Sequence, residues 1–183
     1  MAAGVIFEEV HCKTIINRVN IPGWHFRWTI NHYRGCQHAC VYCFARGTHQ
    51  YLGYDSGRDF ESRIVVKVNA AQVLREELRR PAWARELIVL GTACDPYQQA
   101  ELKYGITRGL LQVLAQFAQP VHALTKSPSA VRDLILQVKE YERLTIRAAV
   151  ERSESLAVGA LARNPLVAGP DLAQRLWRAL EVA

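Results

Sequence analysis

Short apolar runs along this chain alternate with longer stretches in which apolar residues recur at helical spacing. Short runs of this kind predict strands, and the longer stretches predict helices. The run Leu-Ile-Val-Leu is wholly apolar, which is typical of a strand buried on both faces of a parallel sheet. We therefore predict an α/β fold in which helical crossovers join parallel strands. The predicted strands occupy residues 26–30, 64–68, 87–90, 121–125 and 144–150.

Three helices are predicted between these strands. The first begins after Asn69, whose side chain suits a helix N-cap, and ends before Pro81. The second runs from about residue 100 to Pro120. The third begins at Ser127, because serine supplies a capping oxygen and the proline that follows is tolerated in the first helical turn.

The last part of the chain has a different pattern. Small residues, glycine and proline are frequent beyond residue 150, and a short amphipathic segment follows them. We predict a core domain over residues 1–150 and a divergent tail over residues 151–183 that ends in a closing helix. The apolar face of that helix carries Leu172, Leu176, Trp177 and Leu180.

Composition adds few constraints. The 183 residues fit one domain with a sizeable core. No run of about eighteen apolar residues occurs, so we expect no membrane span, and without a signal peptide at the start we expect a cytoplasmic location. The net charge of +6, from 23 basic and 17 acidic side chains, permits nucleic acid as a partner. The basic residues are scattered, however, as on a solvated helical exterior.

The most specific feature is a group of three cysteines, Cys36, Cys40 and Cys43. Three thiolates can hold three corners of an iron-sulfur cube and leave one iron free for another ligand. A structural zinc site is the alternative, and its fourth ligand would be His38, His49 or the distant Cys94. A disulfide framework fits poorly, because the chain has five cysteines, an odd number.

The spacing Cys-x3-Cys-x-aromatic-Cys resembles the cluster motif of radical S-adenosylmethionine enzymes. The surrounding sequence is similar to the branch of that superfamily related to spore photoproduct lyase, and the resemblance covers roughly residues 26–135. It is carried by Asn31, Tyr33, Arg34, Gly35, Ala45, Arg46, residues 48–53, 59–61, 65–67, 91–98, Glu101 and residues 125–127.

The resemblance implies a partial (half) β/α barrel with parallel strands, shortened at its carboxyl end. It implies an enzyme, lyase-like, with a 4Fe-4S cluster and S-adenosylmethionine as cofactors, which cleaves S-adenosylmethionine reductively to a deoxyadenosyl radical. The implied partners are a flavodoxin- or ferredoxin-like electron donor and possible nucleic acid as substrate, and a second copy of the chain to cover an open sheet. The alternatives are a truncated, impaired homologue and a non-enzymatic zinc module that docks nucleic acid.

The resemblance also implies roles for single residues. Tyr42 corresponds to the aromatic residue that packs near the adenine, although an ordinary core tyrosine is an equal alternative. The cofactor's amino group would meet Gly91, Thr92 and Ala93. Further candidate ligand contacts are Asp95, Lys126 and Ser127. A turn aspartate bonded to its own backbone and a solvated lysine are the alternatives for the first two.

Two features depart from the family pattern. Spore photoproduct lyases use a cysteine in the corresponding loop to return hydrogen to a product radical, which makes Cys94 the candidate catalytic residue here. The family thiol aligns two positions earlier, however, level with Thr92. Full members build about six strands, and this sequence predicts fewer.

Overall fold

The computed structural model describes residues 4–133, and these form a mixed α/β structure with two sheets. The α/β class is confirmed, but the sheets combine parallel and antiparallel pairs, and no closed barrel is present within this part of the chain. The strands are β1 (Ile6–Val10), β2 (Ile16–Arg18), β3 (Trp28–Ile30), β4 (Tyr33–Arg34), β5 (Arg63–Lys67), β6 (Ile88–Leu90) and β7 (Val121–Ala123). The helices are α1 (Arg58–Ser62), α2 (Ala70–Leu78), α3 (Ala100–Tyr104) and α4 (Ile106–Gln116), and residues Phe44–Leu52 form a 3-10 helix.

The larger sheet has the order β2-β3-β6-β7. Its central strand, β6, is buried along its whole length, as the apolar run predicts, and pairs in parallel with β3 and β7. Leu90 is in register with Ile30 on one side and with Ala123 on the other. The three parallel strands therefore end at the same edge, and the loops that follow them leave the sheet side by side.

The smaller sheet differs from the predicted arrangement. We expected the strand near residues 64–68 to belong to the parallel sheet, but β5 lies in a separate sheet of order β1-β5-β4. It pairs in parallel with β1 and antiparallel with β4. Because β1 and β4 occupy both edges of β5, its backbone groups are satisfied without contact with the larger sheet.

The first two predicted helices are present with two changes. Helix α2 begins where expected, but the Asn69 side chain does not cap it; its amide bonds to the backbone N–H and C=O of Cys12, at 2.8 and 2.9 Å. The helix predicted from residue 100 is interrupted at Gly105, which has a φ of 61°. The buried Glu101 carboxylate stabilises this break, since it accepts the Thr107 N–H (3.0 Å) at the start of α4.

The main core is built from buried residues of the helices and of both sheets. Helices α2 and α4 pack on one another. A Cβ added at Gly109 of α4 would lie 3.5 Å from the Cβ of Ala71 in α2. The buried core residues of these two helices include Leu74, Leu110 and Leu114. Burial of each leucine contributes roughly 1.5–3 kcal/mol relative to exposure, so the apolar stripes on the two helices hold them against the sheet.

The third predicted helix is described only at its beginning. The Ser127 hydroxyl accepts the Ser129 N–H at 3.3 Å, as expected of a capping serine, and helical conformation starts at Ala130. The strand predicted at residues 144–150, the domain boundary at residue 150 and the closing helix lie outside the described residues. Within residues 4–133, no helix has the length and apolar character needed to cross a membrane.

Gly91, directly after β6, is expected to be more sensitive to substitution than an ordinary turn glycine. It has a φ of 90°, and a Cβ there would lie 2.5 Å from Pro96 Cδ and 2.7 Å from the Leu124 carbonyl oxygen. Gly53 is a matched control, because it has a φ of 76° and no atom within 4 Å of the corresponding position. We predict that Gly53→Ala lowers the free energy of unfolding by about 1–2 kcal/mol through strain alone. Gly91→Ala should lower it by about 2–4 kcal/mol through strain and overlap, and equal losses in urea unfolding would contradict this.

Candidate functional site

Three loops meet at the edge where the parallel strands end. The cysteine loop (residues 35–43) follows β3 and β4, the Gly91 loop (residues 91–98) follows β6, and the Lys126 loop (residues 124–127) follows β7. Ligand sites in α/β proteins lie at this end of parallel strands. The sequence prediction that these segments share one face is consistent with the strand register.

The cysteine loop begins at a close backbone contact. Gly35 has a φ of 83°, and a Cβ there would lie 2.8 Å from the Phe60 carbonyl oxygen. That same carbonyl accepts the Cys36 N–H at 2.9 Å. Two turns follow, in which Ala39 N–H donates to the Cys36 carbonyl (3.1 Å) and Cys43 N–H donates to the Cys40 carbonyl (3.2 Å). Cys36 therefore begins the first turn, and Cys40 and Cys43 begin and end the second, in one loop whose start is fixed against α1.

Arg46 fixes the middle of this loop. Its guanidinium donates to the carbonyl of Cys40 at 2.9 Å and to the carbonyl of Ala39 at 2.8 Å. The same group donates to the Gly57 carbonyl (2.8 Å) and pairs with the Glu61 carboxylate (3.0 Å). Arginine is suited to this role because its planar fork presents five donors. The backbone between the first two thiols is thus held in place by one side chain.

The three thiols differ in their surroundings. Cys36 is 8% exposed and packs against Ala45 and Phe60, and Cys43 contacts the same small cluster. Burial raises the pKa of the Cys36 thiol, while the backbone N–H groups of His38 and Asp95, which donate to its sulfur, act in the opposite direction. Cys40 is half-buried, and its sulfur lies 3.6 Å from the Lys126 ammonium. All three thiols are free.

The expectation of a metal-binding, iron-sulfur protein is not matched by the part of the chain that the structure describes. Within residues 4–133, no three histidine, cysteine, aspartate or glutamate side chains are gathered as metal ligands. The proposed fourth zinc ligands are engaged elsewhere, since His38 pairs with Asp95 and His49 lies 3.0 Å from the Arg63 carbonyl. The donor set itself still suits iron-sulfur chemistry, because it consists of three unpaired thiols with N–H donors around the buried one.

Asp95 connects all three loops. Its buried carboxylate accepts the Thr125 hydroxyl (2.7 Å) and the Lys126 N–H (2.7 Å) from the Lys126 loop, and the Tyr97 N–H (2.8 Å) from its own loop. His38 of the cysteine loop lies 3.3 Å from the second oxygen. Although burial acts to raise the pKa of this carboxyl, the donated hydrogen bonds outweigh it and lower the pKa overall. The Tyr97 N–H bond is that of the turn aspartate considered from sequence, whereas the other donors come from the two neighbouring loops, and the predicted ligand contact of Asp95 stays a prediction.

The start of the Gly91 loop is held by Asn31. The Asn31 side chain donates to the Thr92 hydroxyl at 3.0 Å and accepts the Ala93 N–H at 2.8 Å. The backbone carbonyl of Asn31 accepts a hydrogen bond from the Lys67 ammonium at 2.7 Å. The Thr92 hydroxyl and the Ala93 N–H, both predicted to contact a ligand, are therefore bonded within the protein. Asn31 lies in the motif that carries the family resemblance, and no role was predicted for it.

Two glutamines were also missed. Gln98 accepts the Gln37 N–H at 3.0 Å and donates to the Gly35 carbonyl at 3.2 Å. Gln37 in turn accepts the Ala100 N–H at 2.7 Å. These bonds join the cysteine loop to the start of α3. A buried glutamine within an otherwise polar loop has no sequence signature that distinguishes it from a solvated one, so the pairing was not predictable.

Tyr42 and Lys126 lie together at the open side of the site. Tyr42 is 76% exposed, so the alternative of an ordinary core tyrosine is wrong. The Lys126 ammonium contacts the Tyr42 hydroxyl and lies 4.6 Å from the centre of its ring. Ser127 is bonded within its own loop, where its N–H donates to the Thr125 hydroxyl at 3.0 Å. The predicted ligand roles of Tyr42, Lys126 and Ser127 stay predictions.

Cys94 faces the protein interior. It is 5% exposed and belongs to the main apolar core, and its sulfur lies 3.9 Å from the Asn31 side-chain oxygen. Burial raises the pKa of this thiol to about 12, so it is a neutral thiol at physiological pH. Its predicted catalytic role as a hydrogen donor stays a prediction.

A comparison with protein-family models gives a match to the family 4 glycosyl hydrolase C-terminal domain over residues 112–167. This match covers less than a third of the chain. Its described part, residues 112–133, contains the end of α4, strand β7 and the Lys126 loop. No solved structure matches the chain.

Several curated proteins of undescribed function are similar to this chain. Uncharacterized proteins of Mycobacterium bovis and Mycobacterium tuberculosis are 48% identical over 157 residues, which is 85% of this chain and 45% of each relative. An uncharacterized protein of Methanocaldococcus jannaschii is 30% identical over 128 residues, which is 70% of this chain and 45% of that relative. The chain thus spans slightly less than half the length of these relatives.

These comparisons correct the family expectation. The family model that matches is the glycosyl hydrolase domain, and no model of the radical S-adenosylmethionine superfamily matches. The expected reductive cleavage of S-adenosylmethionine by a spore photoproduct lyase-like enzyme, complete or impaired, is overturned by that result. The expected zinc module likewise lacks gathered ligands in residues 4–133.

We predict that Asp95→Asn destabilises the protein by about 1–3 kcal/mol. Each carboxylate oxygen accepts a hydrogen bond from a backbone N–H, so the NH2 group of asparagine would face one of these donors in either orientation. Asp55→Asn is the control, because the exposed Asp55 accepts the Gly57 and Arg58 N–H groups (2.9 and 2.8 Å) through one oxygen, which asparagine retains. Urea unfolding of both variants measures the difference. A loss for Asp95→Asn no larger than that of the control would show that the carboxylate does not hold the loops together.

Proposed function

We propose that Cys36, Cys40 and Cys43 bind a 4Fe-4S cluster and that S-adenosylmethionine binds at its fourth iron. The observation that carries this proposal is the presence of three free thiols on the two turns of a single loop whose backbone is fixed by Gly35 and Arg46. Three thiolates without a fourth suit a cluster that keeps one iron open. The open iron is the group that accepts an amine and a carboxylate from a small ligand.

In this proposal, binding of the cluster brings the three thiols together and completes the site. Thiols must lose their protons to bind iron, and metal binding draws ligands together that are apart without it. Cys36 is already placed, with two backbone N–H groups directed at its sulfur. Cys43 is half-buried, so its side chain has room to turn toward the other two thiols. The exposed apolar residues beside them, Val41 and Phe44, would become partly covered by the cluster.

The surroundings provide contacts for the second cofactor. Tyr42 presents an exposed aromatic face suited to adenine, and Lys126 presents a cation suited to a carboxylate. Gly91 permits close approach to the backbone, with Thr92 and Ala93 beside it. Asp95 acts through the loops that it joins, because protein donors surround its two oxygens.

Several expectations remain part of the proposal. They are that the chain is an enzyme in the cytoplasm, that a flavodoxin- or ferredoxin-like protein donates electrons, that nucleic acid is a partner, and that a second copy of the chain pairs with it. The partial barrel also belongs here, and the parallel arrangement of β3, β6 and β7 supports it. Its continuation depends on the strand predicted at residues 144–150.

We predict that anaerobic reconstitution with iron and sulfide gives about four irons per chain, as a cube requires. Alanine at Cys36, Cys40 or Cys43 should reduce bound iron at least several-fold, because three-point ligation is lost. Cys12→Ala is the matched control, since Cys12 is also free and bonds through its backbone to Asn69, remote in sequence from the cysteine loop. Iron analysis and the electron paramagnetic resonance spectrum of the reduced protein provide the readouts. Stoichiometric zinc with no iron uptake would contradict the cluster.

The second cofactor has its own test. Addition of S-adenosylmethionine to the reduced, loaded protein should change the resonance spectrum of the cluster, because ligation at one iron alters its electronic structure. Methionine and adenosine, added separately, are the controls for partial ligands. An iron-loaded protein whose spectrum does not respond to S-adenosylmethionine would leave the cluster in place and contradict the ligand.

A further inference from the structure

The Lys126 side chain makes three contacts with the cysteine loop. Its ammonium nitrogen lies 3.6 Å from the Cys40 sulfur and 4.6 Å from the centre of the Tyr42 ring, and it also contacts the Tyr42 hydroxyl. Lys126 and Cys40 are 86 residues apart in sequence, so their contact arises from the placement of the loops and not from chain proximity.

The backbone of Lys126 is fixed in a way that directs the side chain to this place. Its N–H donates to the buried Asp95 carboxylate at 2.7 Å, and the neighbouring Thr125 hydroxyl donates to the other oxygen of that carboxylate at 2.7 Å. The Ser127 N–H closes the turn by donating to the Thr125 hydroxyl at 3.0 Å. A lysine on a freely moving loop would make no lasting contact with a thiol, whereas this one starts from a fixed point.

The charge of Lys126 is not neutralised by a carboxylate within residues 4–133, where none lies within 4.0 Å of its ammonium. The electron-rich face of Tyr42 stabilises the ammonium without removing its charge. The positive charge is therefore directed at the sulfur. Hydrogen bonds to the sulfurs and nearby charges are among the factors that set the reduction potential of an iron-sulfur cluster.

We propose that Lys126 is a positioning residue that donates an N–H to the Cys40 sulfur and raises the reduction potential of the cluster bound there; this inference rests on the proposed function. Reduction adds one electron and makes the cluster one unit more negative. An adjacent ammonium stabilises that added charge more than it stabilises the oxidised cluster. Tyr42 holds the ammonium in place from its other side.

The test is the midpoint potential of the reconstituted full chain, measured by anaerobic titration with dithionite and followed by electron paramagnetic resonance. Lys126→Gln should lower the potential, with bound iron unchanged, because charge and donor strength are lost together. Lys126→Arg should lower it less, because arginine retains the charge. Lys103→Gln is the matched control, since Lys103 also lies over a tyrosine ring, at 4.7 Å from the centre of Tyr104, but contacts no thiol.

The outcomes separate the two proposals. If the wild-type chain takes up no iron, the cluster proposal fails and this inference fails with it. If iron is bound and Lys126→Gln shifts the potential no more than Lys103→Gln does, the inference alone is overturned. If Lys126→Gln loses iron while Lys126→Arg retains it, the cation is required at Cys40 and the contact is supported. Loss of iron in both variants would indicate a structural role for the lysine and overturn the inference.

Discussion

The arrangement of the candidate site depends on one buried carboxylate. Moving an ionised carboxyl group out of water is costly unless hydrogen bonds replace those of the solvent. Asp95 meets this condition with donors from two loops besides its own, which are the Thr125 hydroxyl, the Lys126 N–H and the His38 side chain. Separation of any one loop would leave part of the charge unpaired in a nearly dry environment. The electrostatic cost of that separation holds the cysteine loop, the Gly91 loop and the Lys126 loop in one arrangement.

The parts of the fold that the sequence predicted are those governed by local apolar pattern. The apolar run predicted as a buried strand is β6, which is buried along its length. The apolar residues of α2 and α4 lie in the core. The smaller sheet was not predictable in this way, because β1 carries Glu8 and Glu9 and is largely exposed or half-buried. The break at Gly105 was missed for a different reason. It depends on Glu101, whose carboxylate accepts the Thr107 N–H six residues later, and apolar periodicity does not encode such a polar contact.

For the candidate site, too, the local features were predictable from sequence and the long-range contacts were not. The spacing of Cys36, Cys40 and Cys43 indicated one thiol-bearing loop, and the ends of β3, β6 and β7 indicated where its neighbours lie. The hydrogen bonds of Asn31 and Asp95 join positions 30 to 62 residues apart, and no spacing rule identifies such pairs. The family expectation rested on motifs in residues 26–135, whereas the family model that matches covers residues 112–167. Short motifs describe a local chemistry, and they did not determine the family.

The sequence distance between Lys126 and Cys40 has a consequence for the order of folding. Contacts that close long loops form late, because the entropy of loop closure must be overcome before the contact contributes stability. The cysteine loop obtains its contacts with the Gly91 loop and the Lys126 loop from residues about 60 to 86 positions later in the chain. During synthesis, the three cysteines therefore emerge well before the residues that enclose them. The nascent cysteine loop therefore lacks its contacts with the Gly91 loop and the Lys126 loop until those residues have been synthesised and have folded.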